Sequence, residues 1–294
     1  MIYLIGSILL SSYLILSFKV IERFHIPVLQ AIVFNYITCV VTGSLVNGSF
    51  PFTAENLQQP WAVWSFIMGC LFISIFNVIG FTTQKIGVAV ASVANKLSLV
   101  IPFLFSIYLY NETSTVIKVL GILFALAGVV LTCWPKGGNE TPSHKHLSKA
   151  LIIGMPALLF FGSGLIDTLV NHVQITYLDE SNNNAYLILS FGTAAVIGTL
   201  ILLGLMLFKR EKLDWRSILA GIAIGIPNYF SIWCLVNVLK EFPGRSSAII
   251  PINNMAIVLF SSLAAWLLFR EMLTPKNWIG ILLSVAAIAL IAFG

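Results

Sequence analysis

Apolar and polar positions alternate along this chain in long blocks. Ten apolar stretches, at about 2–18, 28–47, 60–83, 87–109, 115–134, 149–172, 184–208, 215–238, 246–269 and 275–293, are separated by short polar breaks. The breaks carry turn chemistry: Phe24-His25-Ile26-Pro27, Asn47-Gly48-Ser49-Phe50-Pro51, Pro135-Lys136-Gly137-Gly138-Asn139 and Asp179-Glu180-Ser181-Asn182. An apolar run of about 20 residues reaches across a bilayer as a helix, because a helix satisfies its own backbone groups where no water is present. The pattern predicts ten membrane-spanning helices, short connections and no large soluble domain.

The longest polar connection, about 135–148, divides the chain into residues 1–134 and 149–294, and the two halves echo each other. The fourth stretch is followed by Tyr110-Asn111-Glu112, then Thr115 and Gly121; the ninth by Phe269-Arg270-Glu271, then Thr274 and Gly280 at the same distances. The offset, 271 − 112 = 159, carries Asn95 onto Asn254. Five spans per half is an odd number, so the second half enters the membrane upside down relative to the first. The expected fold is therefore an all-α membrane protein of ten transmembrane helices in two inverted five-helix repeats. Transporters of that architecture bind their cargo near the midplane, where the repeats meet.

Composition agrees with the pattern. Of 294 residues 59% are hydrophobic and 9% charged, with mean hydropathy +0.97, against about 25% charged in soluble domains. The net charge of +5 follows loop position and is no nucleic-acid footprint. The odd-numbered connections hold twelve Lys and Arg and the even-numbered ones three, with Lys96 left inside a span. The positive-inside rule then puts the odd connections in the cytoplasm and both termini outside. The first stretch starts at Met1 without a basic lead or cleavage site and is expected to be a span. Cys39, Cys70, Cys133 and Cys234 lie in apolar stretches without CxxC spacing and read as packed thiols.

Against this background a few polar residues stand out. Lys96 falls in the middle of the fourth stretch, where a charge costs roughly 2.5–3.5 kcal/mol on insertion scales and marks a functional site by default. Ser92, Asn95 and Lys96 share one helix face, a few residues before Pro102. A lysine is a compact cation with three donors, suited to a carboxylate or phosphate; the alternative is a structural lysine paired with a carboxylate or with carbonyls freed near Pro102. Asp167 is the acidic residue well inside a span, with Ser163 one turn before and Asn171 one turn after. It is expected to pair with Lys96, either as a switchable pair or as a permanent salt bridge. Pro251 with Asn253 and Asn254, and Pro227 with Asn228 and Tyr229, read as loosened helix segments. Each amide taken singly, with Asn77 and Gln84, reads more readily as a fastener between helices.

Glu112 and Glu271 lie at span ends and read as capping, pairing or gating groups. Gly121, Gly128, Gly198, Gly204, Gly221 and Gly225 read as close-packing positions, and Trp61, Trp64, Trp134, Trp215, Trp266 and Trp278 as interfacial belts. His25 and His172 have no ligand partners at metal spacing, and no metal or cofactor is expected. There is no GK[ST] phosphate loop, HExxH or nucleophile elbow, which argues against ATP-driven pumping and against an intramembrane protease or lipase.

Ten spans in two halves, with Asn111-Glu112 and Gly121 in one and Arg270-Glu271 and Gly280 in the other, resemble the drug/metabolite transporter superfamily, and within it the bacterial branch built from EamA domains. The resemblance implies alternating access through a central cavity lined by spans 1, 3, 4, 6, 8 and 9. Ala94-Asn95-Lys96 is also similar to the Leu-Asn-Lys element of nucleotide-sugar transporters, which carry it in the second half; here that position reads Asn253-Asn254-Met255, without a lysine. Members are often drawn with cytoplasmic termini, the reverse of the loop count. The expected activity is secondary transport, as an exporter, of small metabolites such as amino acids in the inner membrane, with an anionic or zwitterionic cargo and a proton or counter-substrate. The alternatives are an intramembrane enzyme acting on a lipid-linked substrate and a nucleotide-sugar or phosphate-type anion exchanger. The substrate-binding candidates are Lys96, Asn95, Ser92, Asp167, Asn171, Asn228, Tyr229, Asn253 and Asn254.

Overall fold

The computed structural model describes residues 1–102, 104, 115–132, 134, 148–179, 182–209, 212–242, 246–271 and 273–293. Among the described residues every regular element is a helix: α1 (Ile2–Arg23), α2 (Val28–Asn47), α3 (Ala54–Leu57), α4 (Ala62–Lys85), α5 (Val88–Leu97), α6 (Val116–Thr132), α7 (Lys149–Tyr177), α8 (Asn183–Lys209), α9 (Trp215–Glu241), α10 (Ser246–Phe269) and α11 (Pro275–Phe293). Seven, namely α1, α2, α4, α7, α8, α9 and α10, are long and apolar enough to cross a membrane; α5, α6 and α11 are shorter apolar helices. Helix α3 is a single turn opened by Thr53, whose hydroxyl accepts from the Asn56 N–H. Asn111, Glu112, Cys133 and the 135–147 connection lie outside the described residues.

One expected span differs. The fourth apolar stretch reads as one helix to about residue 109, yet α5 ends at Leu97, and the chain turns at Ser98–Leu99 before helical backbone resumes at 100–102. Pro102 supplies the reason: it has no N–H for the Ser98 carbonyl, and its ring crowds that oxygen. The turn is closed by Ile101 N–H on Ser98 O (2.8 Å) and by the Ser98 hydroxyl on Asn95 O. At the two positions where loosening was expected, helices α9 and α10 instead run on through Pro227 and Pro251.

The helices form two compact units. One comprises Met1–Lys19, Val78–Leu165 and Phe230–Gly294; the other comprises Val20–Asn77 and Ile166–Tyr229. In the first, α6 and α11 pack antiparallel along small residues. Gly121, Ala125, Gly128 and Thr132 meet Gly280, Ser284, Ala287 and Ile291, so a Cβ on Gly128 would stand 3.1 Å from the Gly280 carbonyl oxygen. Lipid tails are as apolar as Leu, so association rests on such close packing. Asn277 closes the seam by donating to Thr132 O (2.8 Å) and Leu131 O (3.4 Å), carbonyls that α6 leaves open at its end. The outer faces carry Val116, Leu123, Val130, Ile279 and Leu282, all exposed, as a lipid-facing surface requires. Helices α1 and α4 are clamped by Gln84 Nε2 on Phe18 O (3.0 Å) and Lys19 Nζ on Gln84 O (2.9 Å).

The second unit is built on α2. Gly198 of α8 seats on Val33, while Gly221 and Gly225 of α9 seat on Phe34 and Thr38. Trp61, expected in an interfacial belt, is buried with Met68, Val173, Tyr186 and Leu189. At Gly204, expected at a helix contact, a Cβ would meet none of the described residues within 4 Å. Gln30 ties α2 to the start of α9, donating to Lys212 O (3.0 Å) and accepting from the Asp214 N–H (2.9 Å). There the Arg216 guanidinium, hydrogen-bonded to Asp214, holds that carboxyl below the usual carboxylate range.

Filling the small-residue seam should be costly. Gly280→Leu should lower stability by about 1–3 kcal/mol through overpacking, whereas Leu282→Ala on the exposed face should stay within about 0.5 kcal/mol. Thermal melts of the purified protein in one detergent compare the two, and equal melting temperatures would contradict the assigned packing.

Candidate functional site

The candidate site of the first unit is built on the break in α5. Lys96 lies in the last turn of that helix, half-buried. Carbonyl groups left open at a helix C-terminus form the negative end of the helix dipole and favour a cation. Each neighbour of Lys96 is anchored to a different helix. Asn95 Nδ2 donates to Ser163 Oγ of α7 (3.2 Å). Beside it Gly164 leaves room for the Ile101 side chain, where a Cβ would clash. The Ser163-Gly164 pair thus seats α7 against the turn that ends α5.

On another side, Ser92 Oγ meets Ser261 Oγ of α10 at 2.6 Å, and both are fully buried. Ser261 donates its one hydrogen to Ile257 O (2.6 Å), which leaves Ser92 as the donor in the pair. Glu271, just beyond α10, accepts the Val88 N–H at the start of α5 (3.0 and 3.2 Å to its two oxygens). These two contacts run α5 and α10 antiparallel. By helical rise, Asn253 and Asn254 then stand about two turns from the serine pair, past the level of Lys96. Asn253 is 2% exposed, and its Oδ1 is buried without a hydrogen-bond partner among the described residues. Asn254 is half-buried.

Asp167, Asn171, Asn228 and Tyr229 belong to the second unit. Asp167 and Asn171 are exposed, as is Gln174, and their spacing puts them on one face of α7. The opposite face carries Leu158, Phe161 and Leu165, also exposed. An apolar exposed face suits lipid, whereas an exposed carboxylate with two amides does not. Asn228 and Tyr229 are buried in a helix contact. Asn228 Nδ2 donates to Asn35 Oδ1 of α2 (3.1 Å), and the Tyr229 ring lies over Gly43, where a Cβ would come within 2.8 Å of it. Cys39 Sγ donates to Gly225 O (3.4 Å) in the same contact. Among the described residues no group of three His, Cys, Asp or Glu could hold a metal.

Several partners carry no distinctive signal in the chain: Ser261 for Ser92, Ile101 for Gly164, Asn35 for Asn228. Small hydroxyls and amides recur in apolar stretches, and only packing selects which of them meet.

The helices and their polar interruptions define a multi-pass membrane protein. Residues 174–293 match the EamA-like transporter family, whose domain is that of the drug/metabolite transporter superfamily. The chain is 27% identical over 290 residues to an uncharacterized protein of Haemophilus influenzae (strain ATCC 51907 / DSM 11121 / KW20 / Rd), covering 97% of this chain and 95% of that one. A solved crystal structure is similar over 98% of this chain and 94% of its own, with TM-score 0.59 and 20% identity, and supports the fold alone.

An orphaned buried acceptor costs stability until something pairs with it. Asn253→Leu, of similar volume, should leave the purified protein as stable as the parent or more so, by about 1 kcal/mol. A clear drop in melting temperature would mean that Oδ1 already has a partner.

Proposed function

We propose that this protein is a secondary active transporter of small organic metabolites, exporting them across the inner membrane by alternating access, in ten spans arranged as two inverted five-helix repeats. Lys96, at the carbonyl end of an interrupted helix inside an apolar stretch, carries the reading. A broken helix at membrane depth is tolerated where it lines a cavity, and transporters place half-helix ends at their binding sites. In this reading Lys96 takes the anionic group of the cargo. Asn95 and Ser92 hold the turn that presents Lys96, and Asn253 and Asn254 offer amide groups from α10. Asp167, with Asn171, serves as a proton site or counter-charge. Asn228 and Tyr229 support the scaffold of the second unit. The matched transporter family supports the class; the amino-acid or similar cargo rests on the charge of Lys96 and on resemblance. No catalytic residue is assigned.

The deciding experiment is a thermal-shift screen of the purified protein against small anionic and zwitterionic metabolites, followed by efflux of the best ligand from proteoliposomes. A ligand at 100 times its Kd stabilises the native state by about 2.7 kcal/mol. Lys96→Ala should abolish both the shift and the efflux while the protein stays folded; an unchanged shift in that variant would remove Lys96 from the site. Asp167→Asn should keep ligand binding and lose the dependence of efflux on a proton gradient. Retention of that dependence would exclude Asp167 as the proton site.

A further inference from the structure

Helices α1, α9 and α10 meet at an apolar contact of Leu4, Val238 and Ile249. A Cβ on Gly6 would stand 3.0 Å from Cys234 Sγ, so α1 runs antiparallel to α9. Helix α9 ends at Glu241 and α10 starts at Ser246, a short connection of the kind that makes antiparallel neighbours, which leaves α1 and α10 parallel. One turn beyond Leu4 stands Ser7, and one turn beyond Ile249 stands Asn253, at one depth and on the side of each helix that carries the contact. Both are buried, at 1% and 2% exposure, and neither Ser7 Oγ nor Asn253 Oδ1 has a hydrogen-bond partner among the described residues. The two therefore do not bond one another, and a group set between them would satisfy both.

The two orphans differ in kind. A serine hydroxyl both donates and accepts, and it can turn back onto a carbonyl of its own helix. The Asn253 oxygen only accepts, so it needs a donor from outside its helix. Among the described residues it is the one buried amide oxygen without a partner. Lys96 adds a charge to the same place. In the antiparallel register fixed by Ser92–Ser261, Lys96 stands level with Ile257, one turn (~6 Å of rise) from Asn253. Ser7, Lys96 and Asn253 all belong to the first unit. A cation with an acceptor oxygen one turn away complements a solute that carries a carboxylate and an ammonium close together. It is a poor complement to a phosphate, whose oxygens Asn253 Oδ1 would repel.

We propose that Asn253 and Ser7 form the amine subsite of the transport site. Asn253 Oδ1 accepts a hydrogen bond from the cargo's ammonium, Ser7 Oγ accepts from a second N–H of the same group, and Lys96 takes the carboxylate. The cargo is then an α-amino acid or a close zwitterionic analogue, in preference to a plain carboxylate or a phosphate. The subsite deepens the transporter reading and rests on it for the role of Lys96, but part of its test needs no cargo.

Thermal shifts of the purified protein are compared for matched acids that differ only at the amine: alanine with propionate, valine with isovalerate, leucine with isocaproate, phenylalanine with hydrocinnamate. An amino acid that binds should do so about tenfold or more tightly than its partner acid, the worth of a charge-assisted hydrogen bond. Asn253→Leu should erase that preference while the partner acid binds as before. Asn253→Asp, which keeps an acceptor oxygen, should retain the preference and carries the test if Asn253→Leu does not fold. Equal affinities in the parent, or a preference that survives Asn253→Leu, would overturn the subsite. No shift with any amino acid would overturn it too, while leaving the transporter reading open to other cargo. Lys96→Ala should weaken both members of a pair alike; a failure there counts against the role of Lys96 and not against the amine preference. The second measurement uses no cargo. In a variant whose four cysteines are replaced, Asn253→Cys and Ser7→Cys should react with aminoethyl methanethiosulfonate, a small thiol reagent that carries an ammonium. Ala265→Cys, fully buried on the same helix as Asn253, should not. Unreactive thiols at both positions would mean a sealed interior in which the two orphans share a bound water, and would overturn the subsite whichever acids bind.

Discussion

A helix whose ends are buried must find partners for its terminal N–H and C=O groups without help from water. Helix α5 is ten residues long and meets that demand at both ends. Its first amide is taken by Glu271. At its other end a turn at Ser98–Leu99, one turn before Pro102, interrupts the helix, the Ser98 hydroxyl takes one carbonyl, and Lys96 stands where the dipole favours a cation. The lysine that stands out in the chain is therefore a consequence of an interrupted helix as much as of a need for charge. In the proposed transporter binding and folding share the same atoms here, which is why small changes around α5 are expected to register in both.

The surrounding helices exist in a solvent that gives apolar side chains no reason to meet. Close contact therefore depends on small residues and on hydrogen bonds between helices. The Gly121–Gly128 and Gly280–Ser284 seam brings α6 onto α11, and Asn277 closes its end. Elsewhere Ser92–Ser261, Asn95–Ser163 and Asn228–Asn35 act as point fasteners. These net hydrogen bonds contribute only about 1 kcal/mol each, so their larger effect is to select one register for each helix pair.

Polar residues inside apolar stretches thus divide by what they touch. Ser92, Asn95 and Asn228 are engaged with other helices, whereas Asn253 keeps a buried acceptor without a described partner and Asp167 and Asn171 are exposed. The first group fastens the fold. The second group does not fasten one helix to another through a hydrogen bond of the same kind, and in the proposed transporter it supplies the contacts for a polar solute. This sorting was invisible in residue identity, since Asn228 and Asn253 look alike along the chain and both follow a proline by one or two positions.

By itself the sequence determined the apolar stretches, the helical class, the polar breaks, and the placing of Lys96 and Asp167 inside apolar stretches, because hydrocarbon leaves a chain few ways to satisfy its backbone and makes each buried charge conspicuous. Which of three prolines accompanies an interruption was left to tertiary structure: a turn precedes Pro102, while α9 and α10 continue through Pro227 and Pro251. Tertiary structure alone also decided that Trp61 is buried, that a Cβ at Gly204 would meet none of the described residues, and that Glu271 reaches across 183 positions to cap α5. Those outcomes depend on neighbours brought together from distant parts of the chain, whose packing no local pattern encodes.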